Sequence, residues 1–187
     1  AWDEAEASYA KAATLPGLEI VGIDIHIGSQ ITELTPFRNA FTKVADLLVK
    51  LTDAGHNITT LDLGGGLGIP YGPEDAPPPS PEDYANLIDE IFGDSGCRIF
   101  LEPGRLIAGN AGILVTSVIR TKKGEAKNFI IVDAAMTELM RPTLYGAYHD
   151  IQPVITNGNV QDVWDVVGPV CETGDFLGSD RSLPEPQ

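Results

Sequence analysis

A short apolar segment runs directly into a glycine turn in Thr60-Leu61-Asp62-Leu63-Gly64-Gly65-Gly66-Leu67-Gly68. Residues 60–63 have the character of a short strand, and the glycines that follow end it. A helix that opens with Thr35-Pro36 and stops at Gly55 is predicted before this strand, and another that opens with a capping box of Ser80 and Asp83 is predicted after it. This alternation predicts a parallel sheet with helices outside, which means a barrel or a doubly wound sheet.

The same alternation extends over the first hundred residues. A first helix is predicted to open at a capping pair of Asp3 and Glu6, and further strands are predicted at 18–27 and 98–101. After about residue 110 the long amphipathic helices cease, and β-branched runs predict an antiparallel β domain. These runs lie at 113–119, 129–132 and 160–167. The predicted fold class is α/β plus β, with domains at 1–109 and 110–187 and a surface loop over the acidic, proline-rich residues 72–81.

Composition excludes several classes of partner. The 187 residues include 12 lysines and arginines and 27 aspartates and glutamates, which gives a formal net charge of −15. Nucleic acid and anionic membrane surfaces are excluded because both need clustered basic residues. No apolar stretch approaches the roughly 18 residues that span a bilayer, and the first residues lack an export signal. The two cysteines are too few for a disulfide scaffold, which indicates a cytoplasmic protein.

Polar side chains are predicted near the carboxyl ends of the first three strands. Side chains alternate across a strand, so Asp24 and His26 share the face opposite the aliphatic residues, as do Asp62 and Glu102 on the next two strands. That edge is where α/β barrels and open α/β sheets build their sites. The alternative is a set of buried, paired polar groups without a ligand.

Each of these strands then enters a turn that contains glycine: 28–30, 64–68 and 103–105. Glycine lets the backbone approach a ligand closely and present N–H groups to an anion, so a phosphate is the obvious candidate. The turns lack the ending of a P-loop and the spacing of a dinucleotide fingerprint. The alternative is that the glycines simply form tight corners between strand and helix.

Five blocks together resemble a known family. They are His26-Ile27-Gly28-Ser29-Gln30, the stretch 61–71, Glu102-Pro103-Gly104-Arg105, Arg141-Pro142-Thr143-Leu144-Tyr145 and Gly168-Pro169-Val170-Cys171-Glu172-Thr173-Gly174-Asp175. In this order and spacing they closely resemble the diaminopimelate decarboxylase family, fold-type III pyridoxal-phosphate enzymes with an alanine-racemase-like fold. The resemblance implies the C-terminal part of a (β/α)8 TIM barrel that binds pyridoxal 5′-phosphate, followed by the start of an antiparallel β-sandwich or β-barrel domain. It also implies decarboxylation of meso-2,6-diaminopimelate to L-lysine and carbon dioxide in lysine biosynthesis.

The resemblance assigns roles to individual residues. Glu102 is expected to face the pyridine nitrogen, and His26 is expected to pack on the ring. Binding of the cofactor phosphate is expected from Ser29, Gly65, Gly66 and Gly104, with Arg105 beside them. The carboxylate retained in the product is expected to bind Arg105, Arg141 and Tyr145, because guanidinium groups match carboxylates in a bidentate way.

The last block carries the remaining expected roles. Cys171 is expected to donate a proton after carbon dioxide leaves, at the cofactor of the other subunit of a homodimer with shared active sites. Without the resemblance, a lone cysteine after Gly-Pro-Val is a small buried hydrophobic residue. Glu172 is expected to recognise the distal ammonium of the substrate. Asp175 is expected to be structural or interfacial, and no metal site is expected.

The family's cofactor-bearing lysine is not in the expected place. Ser8-Tyr9-Ala10-Lys11-Ala12-Ala13 mimics its motif, but it lies in a predicted amphipathic helix shortly before His26. Lys11 is therefore expected to be a solvated helix residue. The sequence is interpreted as an internal piece of a longer enzyme that does not decarboxylate by itself. Two alternatives remain: a sister decarboxylase acting on ornithine, arginine or carboxynorspermidine, and a non-catalytic relative of the same fold.

Overall fold

A computed structural model describes residues 2–72, 75–155 and 161–186. The chain divides into two compact units. The first unit comprises Ala1–Pro70 and Ala76–Gly112, and the second unit comprises Tyr71–Asp75 and Ile113–Gln187. Each unit has its own hydrophobic core.

The first unit is built on a parallel sheet of strands β1, Gly22–Asp24, β2, Thr60–Asp62, and β3, Arg98–Phe100, in the order β1-β2-β3. Its described residues also form the helices α1, Ala5–Ala12, α2, Leu34–Asp53, α3, Pro81–Phe92, and α4, Gly104–Ala108. The predicted parallel sheet is confirmed. The strand predicted at 18–27 is too long, because the pairing with β2 covers only Gly22–Asp24 and the chain turns at Gly28, whose φ is +134°.

The two faces of this sheet differ as the alternation predicts. Ile23, Leu61 and Ile99 pack with the apolar faces of α2 and α3 in one core. Aromatic side chains from the two helices pack closely there. The distance between the ring centroids of Phe37 and Tyr84 is 4.9 Å. On the other face Asp24 is exposed.

Helix starts were only partly predictable. The capping box at α3 is confirmed, since the Ser80 hydroxyl accepts from the backbone N–H of Asp83 and the Asp83 carboxylate accepts from the backbone of Ser80. The Asp3 and Glu6 capping box is wrong, because a 3-10 turn over Trp2–Glu4 precedes α1 and its N-cap, Glu4, makes no side-chain capping bond. Helix α2 begins at Leu34, before the predicted cap Thr35, because Leu34 packs against the core and proline is tolerated in a first turn.

The second unit contains a sheet of strands β4, Val118–Lys123, β5, Asn128–Val132, β6, Gln161–Val167, and β7, Phe176–Pro184, in the order β4-β5-β6-β7. A short helix, α5, covers Arg141–Tyr145. The expectation of an antiparallel domain is wrong in one pairing, because β5 and β6 run parallel. A parallel pair needs a long crossover connection, and β5 and β6 are separated in the sequence by residues 133–160.

Individual strand bounds in the second unit also differ from prediction. The run at 113–119 is a strand only from Val118, and Ile113 is 89% exposed. Val160, the predicted start of the next strand, lies outside the described residues, and β6 begins at Gln161. Strand β7 was not predicted, since it is rich in polar residues, includes Gly178 and contains a bulge near Asp180, whose φ is +54°.

Among the helices of the described residues, none combines the length and the apolar character that crossing a bilayer requires.

Candidate active site

The strands of the first unit stay hydrogen-bonded beyond their formal ends. The backbone N–H of Ile25 donates to the carbonyl of Asp62 at 3.0 Å, and that of Leu63 donates to the carbonyl of Phe100 at 3.0 Å. The N–H of Glu102 then donates to the carbonyl of Gly64 at 2.8 Å. The carboxyl ends of the three strands therefore meet at one edge of the sheet, where the sequence predicts a site.

The glycine run, Gly64-Gly65-Gly66, is held tightly at this edge. The backbone N–H of Gly64 donates to the Asp62 carboxylate at 2.9 Å, so Asp62 helps to hold the glycine run in place. A Cβ atom built on Gly65 would overlap the carbonyl oxygen of Glu102, and one built on Gly66, whose φ is +107°, would overlap the carbonyl oxygen of Gly28. Only glycine fits between the neighbouring strand ends, so steric confinement explains glycine at these two positions.

The same run also brings functional side chains together. The N–H of Gly65 donates to Nδ1 of His26 at 3.4 Å, so the imidazole proton lies on Nε2 when the ring is neutral. His26 and Glu102 are both exposed, and the N–H of Gly104 donates to the carbonyl of Glu102 at 2.7 Å. An imidazole, a carboxylate and glycine backbone thus lie along one accessible edge.

Gln30 is a residue whose role sequence reasoning missed. Its Nε2 donates to the carbonyl of Ile69 at 2.6 Å, and its Oε1 accepts from the N–H of Ile69 at 3.3 Å and from Nη1 of Arg105 at 3.1 Å. Gln30 therefore ties the exposed Ser29 turn to the segment after the glycine run and orients Arg105. Its position in the block 26–30 was the available signal.

Helix α5 presents two of the predicted residues of the second unit. Arg141 and Tyr145 are four residues apart, so they project from the same side of the helix. Arg141 is half-buried, whereas Tyr145 is 71% exposed. Nη1 of Arg141 donates to the hydroxyl oxygen of Tyr71, another residue that sequence reasoning missed, at 2.9 Å.

The Cys171 loop, residues 168–175, connects β6 to β7 and carries Cys171 and Glu172. Both side chains are exposed, so Cys171 is not the small buried hydrophobic residue of the alternative interpretation. The Glu172 carboxylate accepts from the N–H of Gly174 at 3.2 Å and from the hydroxyl of Thr173 at 2.9 Å. These hydrogen bonds, that of Gly174 first, lower the pKa of Glu172, which favours its ionised form. An anionic carboxylate suits recognition of an ammonium group.

Asp175 holds the Cys171 loop in place. Its side chain is only 3% exposed, and its two carboxylate oxygens accept from the backbone N–H groups of Met136 and Val170, each at 2.7 Å. The structural role expected for Asp175 is confirmed. Thr143 of α5 also donates its hydroxyl to the carbonyl of Gly174, a contact that sequence reasoning missed. The loop is thereby attached both to the segment after β5 and to α5.

Most of the chain matches a known protein family. The family model described as the C-terminal sheet domain of pyridoxal-dependent decarboxylases matches residues 10–187. The chain belongs to the pyridoxal-dependent decarboxylase family. The match covers both units, so the blocks at the strand ends and those around α5 are all inside it.

Several relatives of this decarboxylase family member match almost the whole chain. Diaminopimelate decarboxylase of Aquifex aeolicus is 52% identical over 184 residues, which is 98% of this chain and 44% of that protein. A crystal structure from Aquifex aeolicus superimposes with a TM-score of 0.96 and 51% identity, covering 100% of this chain and 46% of that one. Helicobacter pylori diaminopimelate decarboxylase, crystallised with L-lysine, has a TM-score of 0.92 and 37% identity, at 100% and 46% coverage. The chain thus spans less than half the length of these relatives.

The donor set at the strand ends fits the cofactor of pyridoxal-dependent decarboxylases. A Cβ atom added at Gly104 would meet open space, so the backbone there is accessible to a bound group. The exposed Glu102 carboxylate can accept from a protonated ring nitrogen, and the Ser29 hydroxyl can donate to phosphate oxygens. Within the described ranges no cluster of His, Cys, Asp and Glu suited to a metal ion occurs.

Proposed function

We propose that the full-length protein containing this chain decarboxylates meso-2,6-diaminopimelate to L-lysine and carbon dioxide, a reaction of lysine biosynthesis. The observation that carries the proposal is the 52% identity to Aquifex aeolicus diaminopimelate decarboxylase over 98% of the chain. The L-lysine in the related Helicobacter pylori crystal supports it, because L-lysine is the proposed product. Two solved structures, a lysine/ornithine decarboxylase and an arginine decarboxylase, are each 21% identical to this chain, so they support the fold alone.

The first unit is proposed to bind pyridoxal 5′-phosphate. The phosphate would be held by Ser29, Gly65, Gly66 and Gly104, with Arg105 oriented beside it by Gln30. His26 would pack on the ring, and Glu102 would keep the ring nitrogen protonated. When bound, the cofactor supplies an electron sink for the pair of electrons released as carbon dioxide departs.

The remaining residues are proposed to bind the substrate and to move a proton. Arg105, Arg141 and Tyr145 would bind the carboxylate that the product retains, since guanidinium groups form charge-assisted hydrogen bonds with carboxylates. Glu172 would pair with the distal ammonium. The Sγ atom of Cys171 would donate a proton to the carbon that loses carbon dioxide, and its exposure supports this role.

A larger assembly is proposed around the two units. Residues 1–109 would form the last part of a (β/α)8 barrel, and residues 110–187 would begin the C-terminal β domain. Parallel sheets are ordinarily covered on both faces, yet Asp24 is exposed and Phe100 is 44% exposed on one face of β1-β2-β3. Further barrel strands would cover that face. The protein is also proposed to form a homodimer, in which Cys171 and Glu172 serve the cofactor of the second copy. A cytoplasmic location is proposed as well.

The activity is tested by measuring L-lysine formed from meso-diaminopimelate in the presence of pyridoxal phosphate. We expect turnover from the full-length protein and none from the 187-residue chain, because Lys11 is an exposed residue of α1 and a poor candidate for the cofactor-bearing lysine. Turnover of ornithine, arginine or carboxynorspermidine in preference to diaminopimelate would identify a sister decarboxylase instead. Cofactor binding without any turnover would identify a non-catalytic relative.

Glu172→Gln in the full-length protein is expected to raise KM for diaminopimelate about tenfold or more, because a charged hydrogen bond to the distal ammonium is worth about 1.5–3 kcal/mol. Steady-state kinetics check this prediction. Glu125→Gln, a loss of the same charge at an exposed residue outside the site, is the matched control and should behave like the wild type. Equal kinetics for the two variants would show that Glu172 does not recognise the substrate.

A further inference from the structure

We infer that Tyr71 is a positioning residue that holds the Arg141 guanidinium ready for a substrate carboxylate. The inference rests on the proposed function, which assigns Arg141 to carboxylate binding, and adds a residue to that site. Tyr71 lies at the end of the block 61–71 and belongs, with Arg141, to the second unit.

Two contacts fix the guanidinium relative to Tyr71. Nη1 of Arg141 donates to the Tyr71 hydroxyl oxygen at 2.9 Å. The guanidinium carbon also lies 4.9 Å from the centroid of the Tyr71 ring, within the range of a cation–π contact. A long, flexible side chain is thereby restrained before any ligand binds, which reduces the entropy lost on binding.

Tyr71 is itself well anchored. The backbone N–H groups of Tyr71 and Gly72 donate to the same oxygen of Asp75, at 2.7 and 2.9 Å. On the other side the His149 ring packs edge-on against the Tyr71 ring, with centroids 5.7 Å apart and an interplanar angle of 79°. The tyrosine is thus fixed through both its backbone and its ring.

The surroundings of Arg141 leave its positive charge available. Among the described residues no carboxylate forms a salt bridge with Arg141. The hydroxyl of Tyr71 accepts a hydrogen bond without neutralising the charge. Burial, together with the positive charges of Arg141 and Arg181, lowers the pKa of His149, so this neighbour is neutral at pH 7. A half-buried, restrained and uncompensated guanidinium is suited to an anionic ligand.

The test is ligand binding by the full-length holoenzyme with Tyr71→Phe, which keeps the ring and removes the hydroxyl. We expect the Kd for L-lysine to rise about tenfold, the effect typical of losing a hydrogen bond to a charged group. The Kd for 1,5-diaminopentane, which is L-lysine without its carboxylate, should stay within about twofold, because this ligand offers Arg141 nothing to bind. KM for diaminopimelate should rise while kcat changes little.

Two controls separate positioning from folding. Tyr148→Phe, whose hydroxyl lies 3.3 Å from the Asp150 carboxylate, should leave both ligand affinities unchanged. In an Arg141→Ala background, adding Tyr71→Phe should not weaken the binding of L-lysine further, because the Tyr71 hydroxyl acts through Arg141.

The outcomes also separate this inference from the proposed function. A wild-type holoenzyme that neither binds L-lysine nor decarboxylates diaminopimelate would contradict the proposed function. The positioning role would be overturned if the wild type binds L-lysine and Tyr71→Phe binds it equally well. It would also be overturned if Tyr71→Phe weakens the binding of L-lysine and of 1,5-diaminopentane to the same extent. The same holds if Tyr71→Phe still weakens L-lysine binding in the Arg141→Ala background.

Discussion

Asp175→Ala is expected to lower the free energy of unfolding of the full-length protein by about 3 kcal/mol, because two backbone N–H groups lose a buried, charged acceptor. The Asp175 carboxylate accepts from Met136 and Val170, both at 2.7 Å, and its exposure is only 3%. The Cβ of alanine cannot replace either bond, and water would have to enter the cavity to do so. The Cys171 loop should become mobile as a consequence.

Urea denaturation followed by tryptophan fluorescence measures this effect, because Trp164 is fully buried in the same unit. Glu185→Ala removes an exposed carboxylate that lies 2.7 Å from Lys123, and we expect a change below about 1 kcal/mol. A second readout is the rate at which the Cys171 thiol reacts with an alkylating reagent, which should rise when the loop loosens. If Asp175→Ala has the same free energy of unfolding and the same rate of Cys171 alkylation as the wild type, contacts other than those of Asp175 fix the loop.

Features that depend on neighbouring residues could be predicted from the sequence. The β2 strand and its glycine run, and the α3 capping box of Ser80 and Asp83, follow from local chemistry, and the structure has both. The meeting of His26, Gly65 and Glu102 at one edge follows from a general rule of parallel sheets, that their carboxyl ends lie together.

Features that depend on distant pairing could not be predicted. The parallel pairing of β5 with β6 is set by the crossover and the packing, and no residue in either strand encodes it locally. Tyr71 and Arg141 are 70 residues apart in the chain, and no spacing within one element connects them. Gln30 was visible in its block, but its hydrogen bonds to Arg105 and Ile69 exist only when two loops and the start of α4 come together.

Gly65→Ala is expected to destabilise the cofactor-free protein by about 3 kcal/mol, the upper part of the range for overpacking a tightly packed position. A Cβ atom at this position overlaps the Glu102 carbonyl oxygen, which belongs to the adjoining strand end and cannot rotate away as a side chain would. The strand ends would have to separate, which would displace the backbone proposed to hold the phosphate. Pyridoxal phosphate affinity should therefore fall about 100-fold or more, since about 3 kcal/mol corresponds to that factor.

Gly104→Ala is the matched comparison, because both glycines are proposed to contact the phosphate but only one is sterically confined. A Cβ at Gly104 meets no atom within 4 Å, and the residue begins helix α4, where alanine is favourable. Stability should change by less than about 0.5 kcal/mol, while the methyl group facing the bound phosphate should weaken cofactor affinity about tenfold. Urea denaturation of the cofactor-free proteins and titration with pyridoxal phosphate separate the two effects. If Gly65→Ala is as stable as the wild type, Gly65 is not sterically confined. If Gly104→Ala binds pyridoxal phosphate as tightly as the wild type, Gly104 does not contact the phosphate.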